Sequence, residues 1–442
     1  MAAILDDIPR VVQPLLTTVA DDLARHTGFV RRERRLTGSA VAQALSLRLV
    51  REPDAALADL AGDVGVSASA LCQRLCDPAA ADFLRALLAA GVDQLRREPG
   101  PRATIPLLRR FAGVYLTDAT SVPLPPGPAA AFPGYGGGPE PGDPSAAAAA
   151  KVLVRRRLDA DQTADLLVDA ATTPDVHLLR RLPGRPAGAL HVADLGFYDA
   201  ETLADYAGRG VYWLTRLPTV ICVGADRADR ELADWLQAFG ADTDTWDGDL
   251  WVGKVTPVRA RVMVRRRPPA VAAERRRKLS ARAGRRGRAV SARQLTLCDW
   301  WVLATNVPAD RMSADEATAL HRGRWQIELV FKRWKTLGRL AVPRHGDPAR
   351  ALATLYGLLL GVLLVDWLAV RRGGALSARS VWRAWRIVRR HLPDIALALD
   401  GLLPWAVVVE RLAAAFDRRP KIPRRKTSPS ARQRLYRATL GP

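Results

Sequence analysis

The chain has 442 residues and a formal net charge of +22, from 67 Lys and Arg against 45 Asp and Glu. Its length allows two or three domains, and its excess of cations is typical of proteins that bind a phosphate backbone, although a GC-rich genome would also enrich Arg. The N-terminus, MAAILDDIPR, has early acids and no long apolar core, so we expect no signal peptide. The four scattered cysteines indicate reduced thiols in a cytoplasmic protein.

Residues 1–105 are rich in Ala and Leu and are expected to form a helical domain. Within it, residues 56–75 have the pattern of a helix, a glycine turn, a cap at Ser67 and a second helix, which resembles a DNA-binding helix-turn-helix. The second helix would present Gln73 and Arg74 to base edges or phosphates. An ordinary helical hairpin has the same pattern, so both interpretations stay open.

Two aspartates follow predicted strands. Residues 109–120, RRFAGVYLTDAT, are predicted to form a strand that ends at Asp118. Residues 189–198, ALHVADLGFY, are predicted to form a short apolar strand that ends at Asp194, followed by a helix. Between them, residues 151–170 are expected to form a β-hairpin. Aspartates at strand ends are mostly caps or turn formers, so each alone is weak evidence for a site.

Residues 218–298 combine β-forming pieces with runs of Arg and Lys. Pro and Gly interrupt these runs, as they do in the basic tail at 418–426, so we expect loops or arms there. A strand is then predicted at 300–306. Trp300 and Trp301 alternate across it, so one of the two rings fills the core.

The stretch from His321 to Lys335 has a helical pattern. At 100° per residue, four polar residues fall within about 60° of one another, opposite the apolar ones: His321, Arg324, Glu328 and Lys335. One carboxylate among cations suits a site that holds both a metal ion and a phosphate. A surface helix with a Glu328–Lys332 ion pair has the same pattern.

The segment 351–370 is long and apolar enough to span a bilayer. Asp366, the absence of a second such span and the basic character of the remaining chain favour a buried helix, and we expect no membrane contact.

The polar helix residues also carry a family resemblance. Arg324, Glu328 and Lys335 are separated by three and six residues, and this spacing resembles the YREK signature of bacterial insertion-sequence transposases of the DDE class. His321 stands where that family usually has Tyr. Asp118, with Thr two residues later, and the run Ala-Asp-Leu-Gly-Phe around Asp194 are similar to the sequences around the family's two aspartates.

The resemblance implies an α/β fold with an RNase H-like, retroviral integrase-type catalytic domain at 106–217 and 299–370. It further implies a mostly β insertion at 218–298, between a helical N-terminal DNA-binding domain and a helical C-terminal region at 371–442 with a basic tail.

The implied activity is metal-dependent strand cleavage and strand transfer in cut-and-paste transposition. On the resemblance, Asp118, Asp194 and Glu328 are the catalytic carboxylates and bind two ions, Mg²⁺ or Mn²⁺. The partners would be terminal inverted repeats, target DNA and a second copy of the chain in a homodimer, at the nucleoid.

Further residues are expected to bind DNA, with Trp301 stacking on an extruded base: His321, Arg324, Lys332, Lys335, Trp301, Gln73 and Arg74. Two alternatives are an RNase H-like nuclease without strand transfer and a non-catalytic DNA-binding repressor. The repressor would not need three converging carboxylates.

Overall fold

A computed structural model describes residues 7–32, 35–98, 105–135, 148–240, 242–285, 287–342, 346–371, 380–418 and 430–440. The N-terminal part is helical: α1 (Asp7–Leu16), α2 (Thr18–His26), α3 (Gly38–Gln43), a π-helical turn (Ala44–Arg48), α4 (Leu49–Arg51), α5 (Leu57–Val64), α6 (Ala68–Leu75) and α7 (Pro78–Arg97). The next part mixes strands and helices: α8 (Pro106–Arg109), β1 (Val114–Leu124), β2 (Ala148–Arg157), β3 (Gln162–Ala170), α9 (Asp175–Arg181), β4 (Leu190–Ala193), α10 (Ala200–Gly208) and β5 (Tyr212–Thr215).

The predicted insertion contains β6 (Cys222–Gly224), β7 (Arg230–Glu231), α11 (Leu232–Gln237), β8 (Thr245–Val252), β9 (Val258–Arg266), α12 (Pro269–Gly284) and α13 (Ala292–Cys298). The remaining elements are β10 (Trp300–Thr305), α14 (Ala314–Gly323), α15 (Trp325–Thr336), α16 (Pro348–Arg371), α17 (Val381–Arg390), α18 (Leu392–Leu399), α19 (Trp405–Asp417) and α20 (Ala431–Leu440).

These elements divide into two compact units. The first unit comprises residues 1–104, 118–174 and 325–428, and the second comprises residues 105–117, 175–324 and 429–442. This division cuts across the four segments expected from the sequence, whose boundaries stay a prediction.

The long apolar helix α16 forms the centre of the first unit and packs against α7, α17 and the π-helical turn. Gly357 and Gly361 permit this close approach. A Cβ at position 357 would lie 2.6 Å from Leu45 Cβ, and a Cβ at position 361 would lie 2.2 Å from the Ser46 carbonyl oxygen. Within the described ranges, α16 is the one helix long and apolar enough to span a membrane, and its apolar stretch is completely buried. The prediction of a buried helix is therefore confirmed.

The first unit also contains the predicted hairpin and the helix-turn-helix pattern. Strands β2 and β3 pair antiparallel, and β1 lies next to β2. Helices α5 and α6 are joined at Gly65, whose φ of 75° is left-handed and suits glycine. The Ser67 side chain then accepts a hydrogen bond from the Ala70 amide and caps α6, as predicted.

The second unit is built on a sheet with strand order β1-β4-β5-β10-β9-β8-β6-β7. Strands β1, β4 and β5 are parallel neighbours, and the remaining pairs are antiparallel. Large side chains from both kinds of pair share one core, among them Trp213, Val262 and Trp300.

The prediction of a mostly β insertion was wrong. Among the described residues of 218–298, strands cover 22 residues and helices cover 29. The basic run Arg275–Lys278, expected in a loop, lies inside α12. Ala, Arg, Lys and Glu all favour helices, and they account for 13 of the 18 residues between Pro268 and Gly287.

Two further boundaries differ from the predictions. Strand β1 does not end at Asp118 but continues to Leu124, because the β-branched residues that follow Asp118 favour extended backbone. The single helix predicted from His321 to Lys335 is divided, with α14 ending at Gly323 and α15 beginning at Trp325. A glycine inside a helix costs about 1 kcal/mol relative to Ala, which favours an end at this position.

Candidate active site

Asp194 lies where strand β4 ends. The last residues paired between the parallel strands β1 and β4 are Thr117 and Ala193. Asp118 and Asp194 are the next residues along the two chains, and both are half-buried. The carboxyl ends of parallel strands form the edge at which α/β sheets bind ligands. Asp194 therefore lies at such an edge, whereas β1 continues past Asp118 to Leu124, and the catalytic roles of the two carboxylates stay predictions.

Cations surround Asp194 in the second unit. Arg324 Nη2 lies 3.4 Å from Asp194 Oδ2, and Arg216 Nη1 lies 3.9 Å from Oδ1. The family resemblance predicts that Arg324 faces a phosphate. The sequence patterns did not predict Arg216 as a site residue. The feature that could have indicated it is its position directly after strand β5, which neighbours β4.

The charge around Asp194 is strongly positive. Burial is the main reason that the pKa of Arg216 lies below its ordinary value, and the charges of Arg275 and Arg324 lower it further. Burial, followed by the charges of Arg275 and Arg216, lowers the pKa of Arg267 to about 10. Mutual repulsion of half-buried guanidinium groups leaves this region in need of anions, which phosphates would supply.

Trp300 and Trp301 alternate across β10, as predicted. Trp300 belongs to the core and is 4% exposed, whereas Trp301 is half-buried on the other face. The guanidinium carbons of Arg267 and Arg322 lie 4.8 and 5.3 Å from the centre of the Trp301 ring. An aromatic face beside two cations suits the base and phosphate of a nucleotide, while base stacking on Trp301 itself stays a prediction.

His321 is buried at the end of α14, with 7% of its surface exposed. Its ring meets Trp301 edge to face, with 5.8 Å between ring centres. Burial, followed by the charge of Arg324, lowers the pKa of His321 to about 4. The imidazole is therefore neutral at pH 7 and takes the buried aromatic place that Tyr would fill.

The stability of the protein in mild acid should depend on His321. Its pKa is about 4 in the folded chain against an ordinary 6.5, so between these values the unfolded chain binds a proton that the folded chain does not. The stabilisation is complete above the ordinary pKa and is lost as the pH falls towards 4, on the order of 3 kcal/mol. Denaturant titrations near neutral pH and near pH 4.5 should show a smaller loss for His321→Tyr than for the wild type. Equal losses would contradict the neutral imidazole.

Helix α15 carries the third predicted carboxylate, in the first unit. Ile327 and Trp334 are fully buried, Glu328 is half-buried, and Lys332 and Lys335 are exposed. The predicted apolar side is therefore confirmed within α15, whereas the predicted polar side is not one helix face, because the helix is divided at Gly323 and His321 is buried. The roles of the polar residues in DNA binding and metal binding stay predictions.

The first unit contains a buried ionic network that the sequence does not predict. Asp366, in the centre of α16, is 1% exposed. Arg333 Nε of α15 donates a hydrogen bond of 2.9 Å to its Oδ1, and Arg156 Nη1 of β2 lies 3.0 Å from its Oδ2. Arg156 also binds Asp161 at 2.6 Å. Asp366 within an apolar helix is the sequence feature that could have indicated this network, because a buried carboxylate needs a cationic partner.

The predicted recognition helix α6 has a mixed surface. Gln73 is exposed, whereas Arg74 lies over the ring of Phe29, with 5.4 Å to the ring centre, and pairs with Asp77 at 3.7 Å. Gln73 is thus available to a partner, and Arg74 would have to leave these contacts to reach DNA. Both remain predicted DNA-binding residues.

The predicted metal ligands are all carboxylates, which suit Mg²⁺ or Mn²⁺. Asp118, Asp194 and Glu328 are each partly exposed, so an ion could reach them. In the part of the chain that the structure describes, no three His, Cys, Asp or Glu side chains are grouped closely enough to hold an ion. The donor chemistry fits divalent ions, and the two-ion site stays a prediction.

Comparison with known families gives one match across this region. A family model described as "Transposase DDE domain" matches residues 109–363, which is more than half of the chain. The match includes all three predicted carboxylates and both helices α14 and α15.

Individual proteins are similar over different lengths. The transposase for insertion sequence element IS231D of Bacillus thuringiensis subsp. finitimus is 24% identical over 79% of this chain and 77% of its own length. The putative transposase InsL for insertion sequence element IS186A of Escherichia coli (strain K12) is 29% identical over 40% of this chain and 46% of its own length. A piggyBac transposase synaptic complex with hairpin DNA aligns with a TM-score of 0.46 and 9% identity, over 96% of this chain and 86% of that one.

Proposed function

Because this chain belongs to the Transposase DDE domain family and is a DNA transposase, we propose that it moves its insertion sequence by a cut-and-paste pathway. It would bind the terminal inverted repeats, cut the DNA at each end and join the freed 3′-hydroxyls to target DNA. The observation that carries this proposal is Asp194 at the end of β4 with the guanidinium groups of Arg216 and Arg324 within 4 Å. One carboxylate and a surplus of cations suit a metal ion and a phosphate together.

The chain's own residues have separable roles in this proposal. Asp118, Asp194 and Glu328 would hold the divalent ions, which when bound activate the attacking oxygen and stabilise the leaving one. Arg324 would fork onto two oxygens of the scissile phosphate, and Arg216 would neutralise the charge that builds up there. The attack breaks the bond between phosphorus and the leaving 3′ oxygen.

An RNase H-like catalytic core is part of the proposal. It is supported by the element order of strand, hairpin, strand, helix and strand in β1, β2-β3, β4, α10 and β5. The parallel arrangement of β1, β4 and β5 also supports it.

The decisive experiment incubates purified protein and Mg²⁺ with DNA that carries the element's own ends. Cleavage at the ends and joining to a target plasmid are expected. Cleavage without joining would indicate a nuclease, and binding without cleavage would indicate a repressor. Omission of the divalent ion should stop cleavage and leave binding largely intact.

Arg324 and Lys335 are expected to contribute more to cleavage than to protein stability. Arg324→Lys cannot fork onto two phosphate oxygens, and Lys335→Ala removes one point charge; each should cost on the order of 1–3 kcal/mol in transition-state stabilisation. Single-turnover cleavage rates test this, with Arg209→Lys on the exposed surface as the control. Unchanged rates in both variants would remove the two residues from the proposed site.

A homodimer is proposed because two element ends must be cut in one complex. Light scattering of the protein with and without end DNA tests it, and a complex that holds one chain on two ends would contradict it.

A further inference from the structure

Helix α12 carries a row of cations along one exposed side. Ala272 is the one buried residue of this helix. Arg276 of the helix forms an ion pair with Asp299. At 100° per residue, three exposed cations fall within about 60° of one another, and the centre of this row lies roughly 90° around the helix from Ala272. We call them the α12 stripe: Arg275, Lys278 and Arg282.

Folding alone does not account for this stripe. Helix α12 contains five cations and one carboxylate, Glu274, which pairs with Lys278 at 2.6 Å. Like charges three and four residues apart destabilise a helix by a few tenths of a kcal/mol per pair. The helix also buries almost no apolar surface that would offset this cost. An external anion would remove the repulsion.

The α12 stripe lies close to the cations around Asp194. The carbonyl oxygen of Asp299, whose side chain pairs with Arg276 of α12, accepts a 2.7 Å hydrogen bond from the Arg267 backbone N–H, and the Arg267 guanidinium lies over the Trp301 ring. Burial lowers the pKa of both Arg216 and Arg267, and the charge of Arg275 lowers each of them further. Arg216 in turn faces Asp194 at 3.9 Å. The positive region around Asp194 therefore continues onto an exposed helix of the same unit.

We propose that the α12 stripe binds the phosphate backbone of the duplex DNA whose strand reaches Asp194. Arg275 and Arg282 are seven residues apart, or about 10 Å along the helix, which spans about three base pairs. Arg and Lys on an exposed helix suit phosphate oxygens, although the same side chains can also read guanine. A backbone contact positions DNA without reading its sequence, so it predicts equal losses of binding to end DNA and to unrelated DNA. This inference rests on the proposed transposase site.

The test compares a triple variant, Arg275→Gln, Lys278→Gln and Arg282→Gln, with a control that loses three exposed cations elsewhere, Arg209→Gln, Arg227→Gln and Arg411→Gln. Binding is measured against salt concentration with duplexes of end sequence and of unrelated sequence. The slope of log K against log salt should fall by about 2–3 in the stripe variant, since each phosphate contact contributes about 0.9. The loss should be the same for both duplexes, and the control should keep the wild-type slope.

Several outcomes overturn the inference. An unchanged slope in the stripe variant, or an equal loss in the control, would show that α12 does not contact DNA. Weaker binding to duplex RNA alone would indicate a different occupant. If the triple variant does not fold, the single variant Lys278→Gln should still lower the slope by about 0.9. If the wild type cuts its ends and the stripe variant binds normally, this inference fails and the proposed function stands.

Discussion

Asp118→Asn, Asp194→Asn and Glu328→Gln should each abolish strand cleavage while DNA binding persists. A metal ligand contributes several kcal/mol of transition-state stabilisation, so each change should lower the cleavage rate on the order of a thousandfold or more. These replacements keep the shape of each side chain and remove its charge. Cleavage of end DNA under single-turnover conditions measures the effect.

Measurements of DNA binding by these variants distinguish the loss of a metal ligand from misfolding of the protein. Asp194→Asn removes the negative charge that faces Arg216 and Arg324, so DNA should bind as tightly as before or more tightly at low salt. Asp205→Asn, an exposed acid on α10 that pairs with Arg209, serves as the control and should cut normally. If one of the three variants cleaves within about tenfold of the wild type, that carboxylate does not belong to the catalytic set.

Asp366→Ala should lower the free energy of unfolding by about 3–5 kcal/mol, because it leaves Arg333 and Arg156 buried without their shared counter-charge. Denaturant unfolding followed by tryptophan fluorescence measures the change. The loss should appear in the first unit, where Trp334 and Trp367 lie on the two helices α15 and α16.

Two comparisons test the cause of that loss. Asp394→Ala removes a carboxylate that pairs with the exposed Arg411, and it should cost less than about 1 kcal/mol. The double variant Arg333→Met with Asp366→Leu should recover part of the lost stability, because it removes the charge on both helices and leaves Arg156 with Asp161. A double variant less stable than Asp366→Ala would show that packing, and not charge, is the main effect.

Local sequence patterns predicted the features that depend on neighbouring residues. The cap at Ser67, the hairpin at 151–170 and the burial of the apolar helix all follow from side chains a few positions apart. The order of the predicted carboxylates along the chain came from a resemblance. No local pattern could give the pairing of Asp366 with Arg156, because 210 residues separate them.

The errors have physical causes as well. The sequence predicts a loop at Arg275–Lys278 because almost no apolar residue marks an inward side there, although the composition of α12 favours a helix. The polar segment from His321 to Lys335 was treated as one helix because its periodicity outweighed the local cost of Gly323. The cations Arg216 and Arg267 were missed because only the sheet brings their strands near β4 and β10.

The C-terminal helix α20 has a consequence for the synthesis of the protein. It packs against α8 and α14 and buries Leu435 completely, so residues 430–440 complete the unit that contains Asp194. Nascent chains generally fold as their segments leave the ribosome, at about 5–20 residues per second. This unit cannot be complete until residues 430–440 have been translated. A stop codon or a frameshift near residue 428 would therefore leave α14 uncovered. This would happen even though the codons for the three predicted carboxylates are unchanged.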